Sequence, residues 1–374
     1  MKASVARAME HGALGLSSSL IYVPGRFAST EELIELAKVA ARYGGSYITH
    51  LRSEEERIDA ALDEAFRIAR EARIPTEIYH LKTAGRRQWG RMPEILRRIE
   101  DARAAGLDIS ADQYPWTASS NALDASLPAW SREGGRDKLV ARLQDPATRA
   151  RIRTDFLKED PADWSQGGAS RILITGVLNP ALKKYEGRTI ADIAKSEARD
   201  TFDVLADIVV ADRANTGRVT FTMSEDDVRA ALRHPLVSMC TDSGARATDG
   251  VLGREKAHPR AWGSAPRILG HYVRDEKLLT LEEAIRKMTS LPASRMRLAD
   301  RGLVRQGMAA DLVAFDPLTI RERSTYEAPS AYSEGIPFVA VNGVLVVDGG
   351  RITDARPGRV LRGPGYRTPT QNQP

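Results

Sequence analysis

Two stretches decide how this chain is read: GGSYITHLRSE at Gly44–Glu54 and PTEIYHLKTAG at Pro75–Gly85. Each starts with Gly or Pro, continues as a short run of β-formers, reaches a histidine, and places a basic residue two positions later. Ser46-Tyr47-Ile48-Thr49 and Thr76-Glu77-Ile78-Tyr79 have the length and composition of strands. Between them, Ile58, Ala61, Leu62, Ala65, Ile68 and Ala69 recur at helical spacing. The pattern is strand–helix–strand with a histidine closing each strand. In an α/β barrel such strand ends open into one shared mouth, where catalytic groups collect. A single histidine there is most often structural. Two in equivalent positions, His50 and His80, make a metal site the leading expectation.

Outward from this unit, strand and helix keep alternating. Residues 29–43 form a helix capped by Ser29 or Thr30, residues 92–105 form another, and residues 107–114 form a strand leading into Pro115-Trp116-Thr117-Ala118-Ser119-Ser120. Alternation of this kind implies a parallel sheet with right-handed crossovers. From about 121 to 216 the rhythm loosens into charged helices and one strand, 171–177, which predicts an insertion over the mouth. Strands are expected again at 218–223 and 236–240, the second running into Thr241-Asp242-Ser243-Gly244. After residue 298 the texture becomes short β segments (302–304, 310–315, 339–347) punctuated by Asn342-Gly343 and Gly349-Gly350 turn signals. The expected divisions are 1–300 for the barrel portion with its lid at about 121–216, 301–362 for a β-sandwich portion, and 363–374 for a disordered tail.

Asp242, at a strand end, would face the same mouth as the histidines. A carboxylate beside zinc can serve as ligand and as general base, whereas the same sequence also suits a helix cap. Arg52 and Lys82 lie two residues past the histidines, so strand alternation would place them in the same cavity, where a cationic pair suits a carboxylate substrate. Ordinary ion pairs with Glu54 or Glu55 are the competing reading. Tyr114 and Ser120, on the loop after 107–114, can donate to a carboxylate or an oxyanion, and Tyr22 is a weaker candidate of that kind. His11, His234 and His271 lie beside helix ends and read as structural; His258 is close enough in sequence to Asp242 to reach the mouth. Cys240 reads as a buried small hydrophobe.

Bulk properties exclude several classes. The chain has 374 residues, 42% hydrophobic and 28% charged, with a formal net charge of +5 spread among interleaved acids and bases. No basic block with interleaved aromatics argues for nucleic acid. One cysteine precludes an intrachain disulfide, no apolar run reaches membrane-spanning length, and residues 1–15 lack the apolar centre of a signal peptide, so a cytoplasmic location is expected.

Eight segments together resemble the amidohydrolase superfamily, in its D-aminoacylase (N-acyl-D-amino-acid deacylase) branch: GALGLSSSLIYVPG, YITHLRSE, EIYHLKTAG, DQYPWTASS, MCTDSG, and the closing ADLVAFDP, VNGVLVVDGG and PGRVLRG set. The resemblance implies zinc held by His50 and His80, with Asp242 as further ligand and base. It also implies that Arg52, Lys82, Tyr114 and Ser120 hold the carboxylate of a small-molecule N-acyl-D-amino acid, with Tyr22 lining the pocket. That family also carries a His-x-His pair on its first barrel strand and an early metal-ligating cysteine. No two histidines here are separated by one residue, and Cys240 belongs to a late strand. The expectation is therefore an incomplete (β/α)8 TIM-like metal-dependent hydrolase barrel, about strands 4–8, plus a small C-terminal β-sandwich portion. The expected chemistry is zinc-dependent hydrolysis of the amide of N-acyl-D-amino acids. The alternatives are an inactive N-terminally truncated remnant, a half-enzyme needing a separate N-terminal chain or a homo-oligomer, and another cyclic or linear amide hydrolase of the superfamily.

Overall fold

The computed structural model describes residues 1–159, 164, 167–250, 252–253 and 256–368. Strand β1 (Gly15–Ser19) is followed by a helix at Thr30–Arg42, β2 (Ser46–His50), a helix at Ile58–Ala72, β3 (Thr76–Ile78), a helix at Met92–Ala104 and β4 (Ile109–Gln113). Ser29 caps the first of these helices by accepting from the Glu32 amide at 3.2 Å. The Ile58–Ala72 helix buries Ile58, Ala61, Leu62, Ala65, Ile68 and Ala69, the stripe that its spacing predicts.

After β4 the chain leaves the sheet to build β5 (Ala118–Ala122), β6 (Ile172–Gly176) and β7 (Gly217–Phe221), then returns as β8 (Val237–Met239). Among the described residues, β1, β2, β3, β4 and β8 form a parallel sheet in that order. One face packs Ile78, Ile109, Ala111 and Val237 against the helices. The register pairs Glu77 with Ser110 and Asp112 with Ser238 on the other, which is a buried polar face. His50 shares that face, two residues on from Ile48, which pairs with Glu77.

Strands β5, β7 and β6 form a separate antiparallel sheet. Residues 123–214 carry their own apolar core, including Leu139, Ile152, Ile174, Ile193, Phe202 and Leu205. Two expectations change here. The 218–223 strand does not continue the parallel alternation; it pairs antiparallel with β5 and β6. Ser120 lies on strand β5 rather than on a loop. A run of β-formers looks the same whichever way its neighbour runs, so only pairing partners distinguish the two.

The third sheet, β12 (Arg351–Ile352), β11 (Val344–Asp348), β10 (Phe338–Val341) and β9 (Leu312–Ala314), is antiparallel throughout. Asn342 and Gly343 join β10 to β11 with φ of 48° and 81°, as a two-residue hairpin turn with both central residues left-handed requires. Residues 302–304 form no strand. Of the expected tail, residues 369–374 lie outside the described residues. No helix among the described residues is long and apolar enough to cross a membrane.

Candidate metal centre

The ends of β2 and β3 bring two histidines together. His50 Nδ1 and His80 Nε2 are 2.8 Å apart, with ring centroids at 4.4 Å. Glu54, one helical turn's spacing after His50, turns its carboxylate onto the pair: Oε1 is 3.2 Å from His80 Nδ1 and 3.7 Å from His50 Nε2. One ligand atom from each of His50, Glu54 and His80 lies within 4.8 Å of the others, and all three residues are buried. His80 has φ of +36°, and its amide donates to Asp112 Oδ1. The backbone thus holds a left-handed conformation that a non-glycine residue rarely adopts, locked by a neighbouring carboxylate.

Electrostatics suit metal ligation. Burial, reinforced by the charge of Lys82, pulls the His50 imidazole down to about 4, so it stays neutral near pH 7 as a ligand must. Burial alone would raise the Glu54 carboxyl, but the Lys82 ammonium and the two imidazoles outweigh it and hold it well below the usual carboxylate range. His50 Nε2 is buried without a hydrogen-bond partner among the described residues. Two imidazoles and a carboxylate form a donor set that zinc accepts, and the orphaned nitrogen suits a ligand's place in it.

A cavity of about 430 Å³ opens beside the cluster, lined by His50, Glu54, His80, Lys82, Tyr114, Asp242 and Arg260, among others. Tyr114 is fully buried, and its hydroxyl has no partner among the described residues; burial pushes the phenol well above its ordinary value. Arg260 lies over its ring at 4.7 Å and Lys82 at 5.6 Å. Tyr22 stands 5.2 Å from the His50 ring, centroid to centroid, and its hydroxyl accepts from Asn121 Nδ2 at 3.3 Å. Ser120 lines the same cavity.

Other placements differ from expectation. Asp242 lines the cavity with φ of +47°, but its carboxylate pairs with Arg260 at 2.7 Å and stands outside the ligand cluster; Glu54 takes that place. Lys82 faces the cavity yet is already engaged, with Nζ 2.6 Å from Glu54 Oε1 and 2.6 Å from His80 Nδ1. Arg52 does not face the cavity. It forks onto Glu64 with two 2.8 Å bonds and donates to the carbonyls of Arg26 and Ala28 at 2.7 and 2.9 Å. Strand β2 ends at His50, so the two-residue alternation that would carry Arg52 inward stops before reaching it. His258 is structural: Nε2 donates to the Ala118 carbonyl at 2.9 Å while Nδ1 accepts from the Arg260 amide at 3.0 Å. Cys240 is half-buried against Tyr114, Trp116 and Met223. The residues that pattern reading missed are Glu54 and Arg260. The His50-x-x-x-Glu54 spacing was the available signal for the first; Arg260 had none.

The sequence model of the Amidohydrolase family matches residues 1–347, and the chain belongs to that family. It is 35% identical over 354 residues to a D-aminoacylase of Alcaligenes xylosoxydans xylosoxydans, covering 95% of this chain and 62% of that protein. It is 34% identical over 362 residues to an N-acyl-D-glutamate deacylase of the same organism, covering 97% and 63%. Among solved structures, N-acyl-D-glutamate deacylase from Bordetella bronchiseptica, complexed with zinc and a phosphonate mimic of the tetrahedral intermediate, superposes with a TM-score of 0.76 at 32% identity. That match covers 97% of this chain and 65% of the other. The chain thus spans under two thirds of the length of these relatives.

Proposed function

We propose that this chain serves in metal-dependent hydrolysis of the amide bond of N-acyl-D-amino acids, releasing a carboxylate and a D-amino acid. The observation that carries the reading is the buried His50–Glu54–His80 cluster, with its orphaned imidazole nitrogen, opening onto a cavity that also holds Asp242, Tyr114 and Arg260. The likeness to the two deacylases supports the same substrate class. On this reading the parallel sheet is an arc of a (β/α)8 barrel with its polar face inward. The described residues of the segment at about 121–216 lid the mouth, and the β9–β12 sheet is part of a small β-sandwich.

His50, His80 and Glu54 would hold zinc, which supplies a Lewis acid for the amide carbonyl and an acidified water. Asp242 accepts the proton given up by the attacking water, while Arg260, 2.7 Å away, orients its carboxylate. The Tyr114 hydroxyl, protonated because of burial and free of other partners, donates to oxygen that becomes negative in the transition state. Lys82 keeps Glu54 ionised, and Ser120 and Tyr22 shape the wall.

The test uses the purified chain with added zinc: bound metal by elemental analysis, and free D-methionine released from N-acetyl-D-methionine, with the L-enantiomer as control. Expected are stoichiometric zinc, its loss in His50→Ala and His80→Ala, and D-selective release. Wild-type protein without bound zinc and without D-methionine release would sink the reading.

A further inference from the structure

His258 stands behind the cavity rather than in its lining, yet its two ring nitrogens join opposite sides of it. Nδ1 accepts from the Arg260 amide at 3.0 Å, and Nε2 donates to the Ala118 carbonyl at 2.9 Å. Arg260 carries the ion pair to Asp242 at 2.7 Å and lies over the Tyr114 ring at 4.7 Å. Ala118 opens β5, the strand of Ser120 in the cavity wall and of Asn121, which donates to the Tyr22 hydroxyl. One imidazole thus ties the side bearing the proton acceptor to the opposite wall.

Asp242 and Arg260 need such a tie. The described residues between them form neither helix nor strand, and Asp242 holds φ of +47°, a conformation that persists only where its surroundings enforce it. Arg260 is the first residue of a helix, Arg260–Arg267, whose N-cap Pro259 makes no side-chain cap bond. The His258 ring supplies the acceptor that the helix's first amide otherwise lacks. Two further bonds hold the same turn: Ser264 Oγ donates to the Arg260 carbonyl at 2.9 Å, and Ser324 Oγ to the Pro259 carbonyl at 3.2 Å. Neither reaches the Arg260 amide.

The two partners also fix where the imidazole carries its proton. A carbonyl only accepts and an amide only donates, so the ring is neutral with its hydrogen on Nε2. Packing holds its plane: the Tyr326 ring meets it at 5.2 Å and 80°, and the Trp116 ring at 5.9 Å and 86°. Burial, reinforced by the Arg260 charge, pulls the imidazole well below its ordinary value, so the neutral form prevails at pH 7. An imidazolium would turn an N–H against the Arg260 amide. The side-chain amides separate the two bonds: asparagine places its oxygen where Nδ1 stands, whereas glutamine places its nitrogen where Nε2 stands.

We propose that His258 is a positioning residue for the amide hydrolysis: by clamping the Arg260 amide to β5 it aims the Arg260–Asp242 pair into the cavity. The proposal rests on the hydrolytic reading above and adds to it a residue that touches no substrate. Nitrogen NMR of the wild-type chain labelled at histidine, with the ring assigned through its contacts with Trp116 and Tyr326, reads the tautomer directly. Expected at pH 7 is a protonated Nε2 and a bare Nδ1. An Nδ1–H tautomer or an imidazolium overturns the clamp while leaving deacylation standing, and this result needs no variant to fold. Steady-state kinetics of the zinc-loaded chain on N-acetyl-D-methionine supply the second test. His258→Gln, which loses the acceptor for Arg260, should lower kcat about 10–100-fold with KM within about threefold of wild type, because the proton acceptor is misplaced while binding persists. His258→Asn, which keeps that acceptor, should recover kcat to within about fivefold. Beside Arg260→Gln the His258→Gln loss should shrink to within about threefold, since the imidazole then has nothing to aim. Equal losses in the two His258 variants, or a loss that persists in full beside Arg260→Gln, overturn the proposal. No turnover by the wild-type chain overturns the underlying reading, and the positioning role falls with it.

Discussion

Glu54 and Lys82 offer a sharp test of the electrostatics beneath the candidate metal centre. Their charges are 2.6 Å apart, and their side chains are 10% and 3% exposed. Glu54→Gln keeps the shape of the side chain but removes its charge, leaving the Lys82 ammonium buried without a counter-charge. Removing one partner of a buried ion pair costs about 3–5 kcal/mol, far more than removing a surface pair, because the remaining charge has lost both water and counter-charge. The internal control is Arg87–Glu56, also at close range (2.8 Å) but 58% and 61% exposed, for which Arg87→Ala should cost less than about 1 kcal/mol. Glu54→Gln/Lys82→Met removes both charges and should recover most of the loss, giving a coupling energy of about 2 kcal/mol or more. Urea unfolding of metal-free protein, followed by circular dichroism in the presence of a chelator, measures all four corners of the cycle. A single-variant cost near that of Arg87→Ala, or additive effects around the cycle, would refute the view that Glu54 and Lys82 are held together by burial.

Three further outcomes follow from other residues. Burial first, then the Asp112 charge, push Glu77 up to about 7 from its ordinary 4.5, although Arg295 at 3.0 Å opposes them. A folded value above the unfolded one means that its stabilising contribution, about 3 kcal/mol, is full below pH 4.5 and is lost as pH rises through about 7; Glu77→Gln should flatten that part of a stability–pH curve. Arg52→Ala breaks the fork onto Glu64 and two backbone contacts, so denaturation should show a loss of about 1–3 kcal/mol; any kinetic effect should be equal on substrates with and without a carboxylate, and selective loss on carboxylates would restore Arg52 to the substrate site. Tyr114→Phe removes a hydroxyl without a protein partner, so stability should change by less than about 0.5 kcal/mol while kcat/KM for an N-acyl-D-amino acid falls about 10–100-fold; unaltered kinetics would remove Tyr114 from the proposed chemistry.

Short-range order was legible in the chain itself. The Ile58–Ala69 stripe, the Ser29 cap, the Asn342-Gly343 hairpin and the histidine after each of two β runs depend on neighbours within one or two turns, so periodicity and turn chemistry reveal them. The pairing of His50 with His80 was also within reach, because equivalent ends of neighbouring parallel strands must meet. What the tertiary structure decided was which charge meets which. Glu54 and Lys82 are 28 residues apart and Arg52 and Glu64 are 12 apart; nothing local distinguishes a glutamate that will face a metal site from one that will hold an arginine. The same holds for β7. Its composition is that of any strand, and only antiparallel pairing with β5 sets Arg218 beside Asn121 on the cavity wall. Local sequence selects backbone conformation, whereas electrostatic partners and strand neighbours are chosen by how distant segments pack, and this site is built from the second kind of choice.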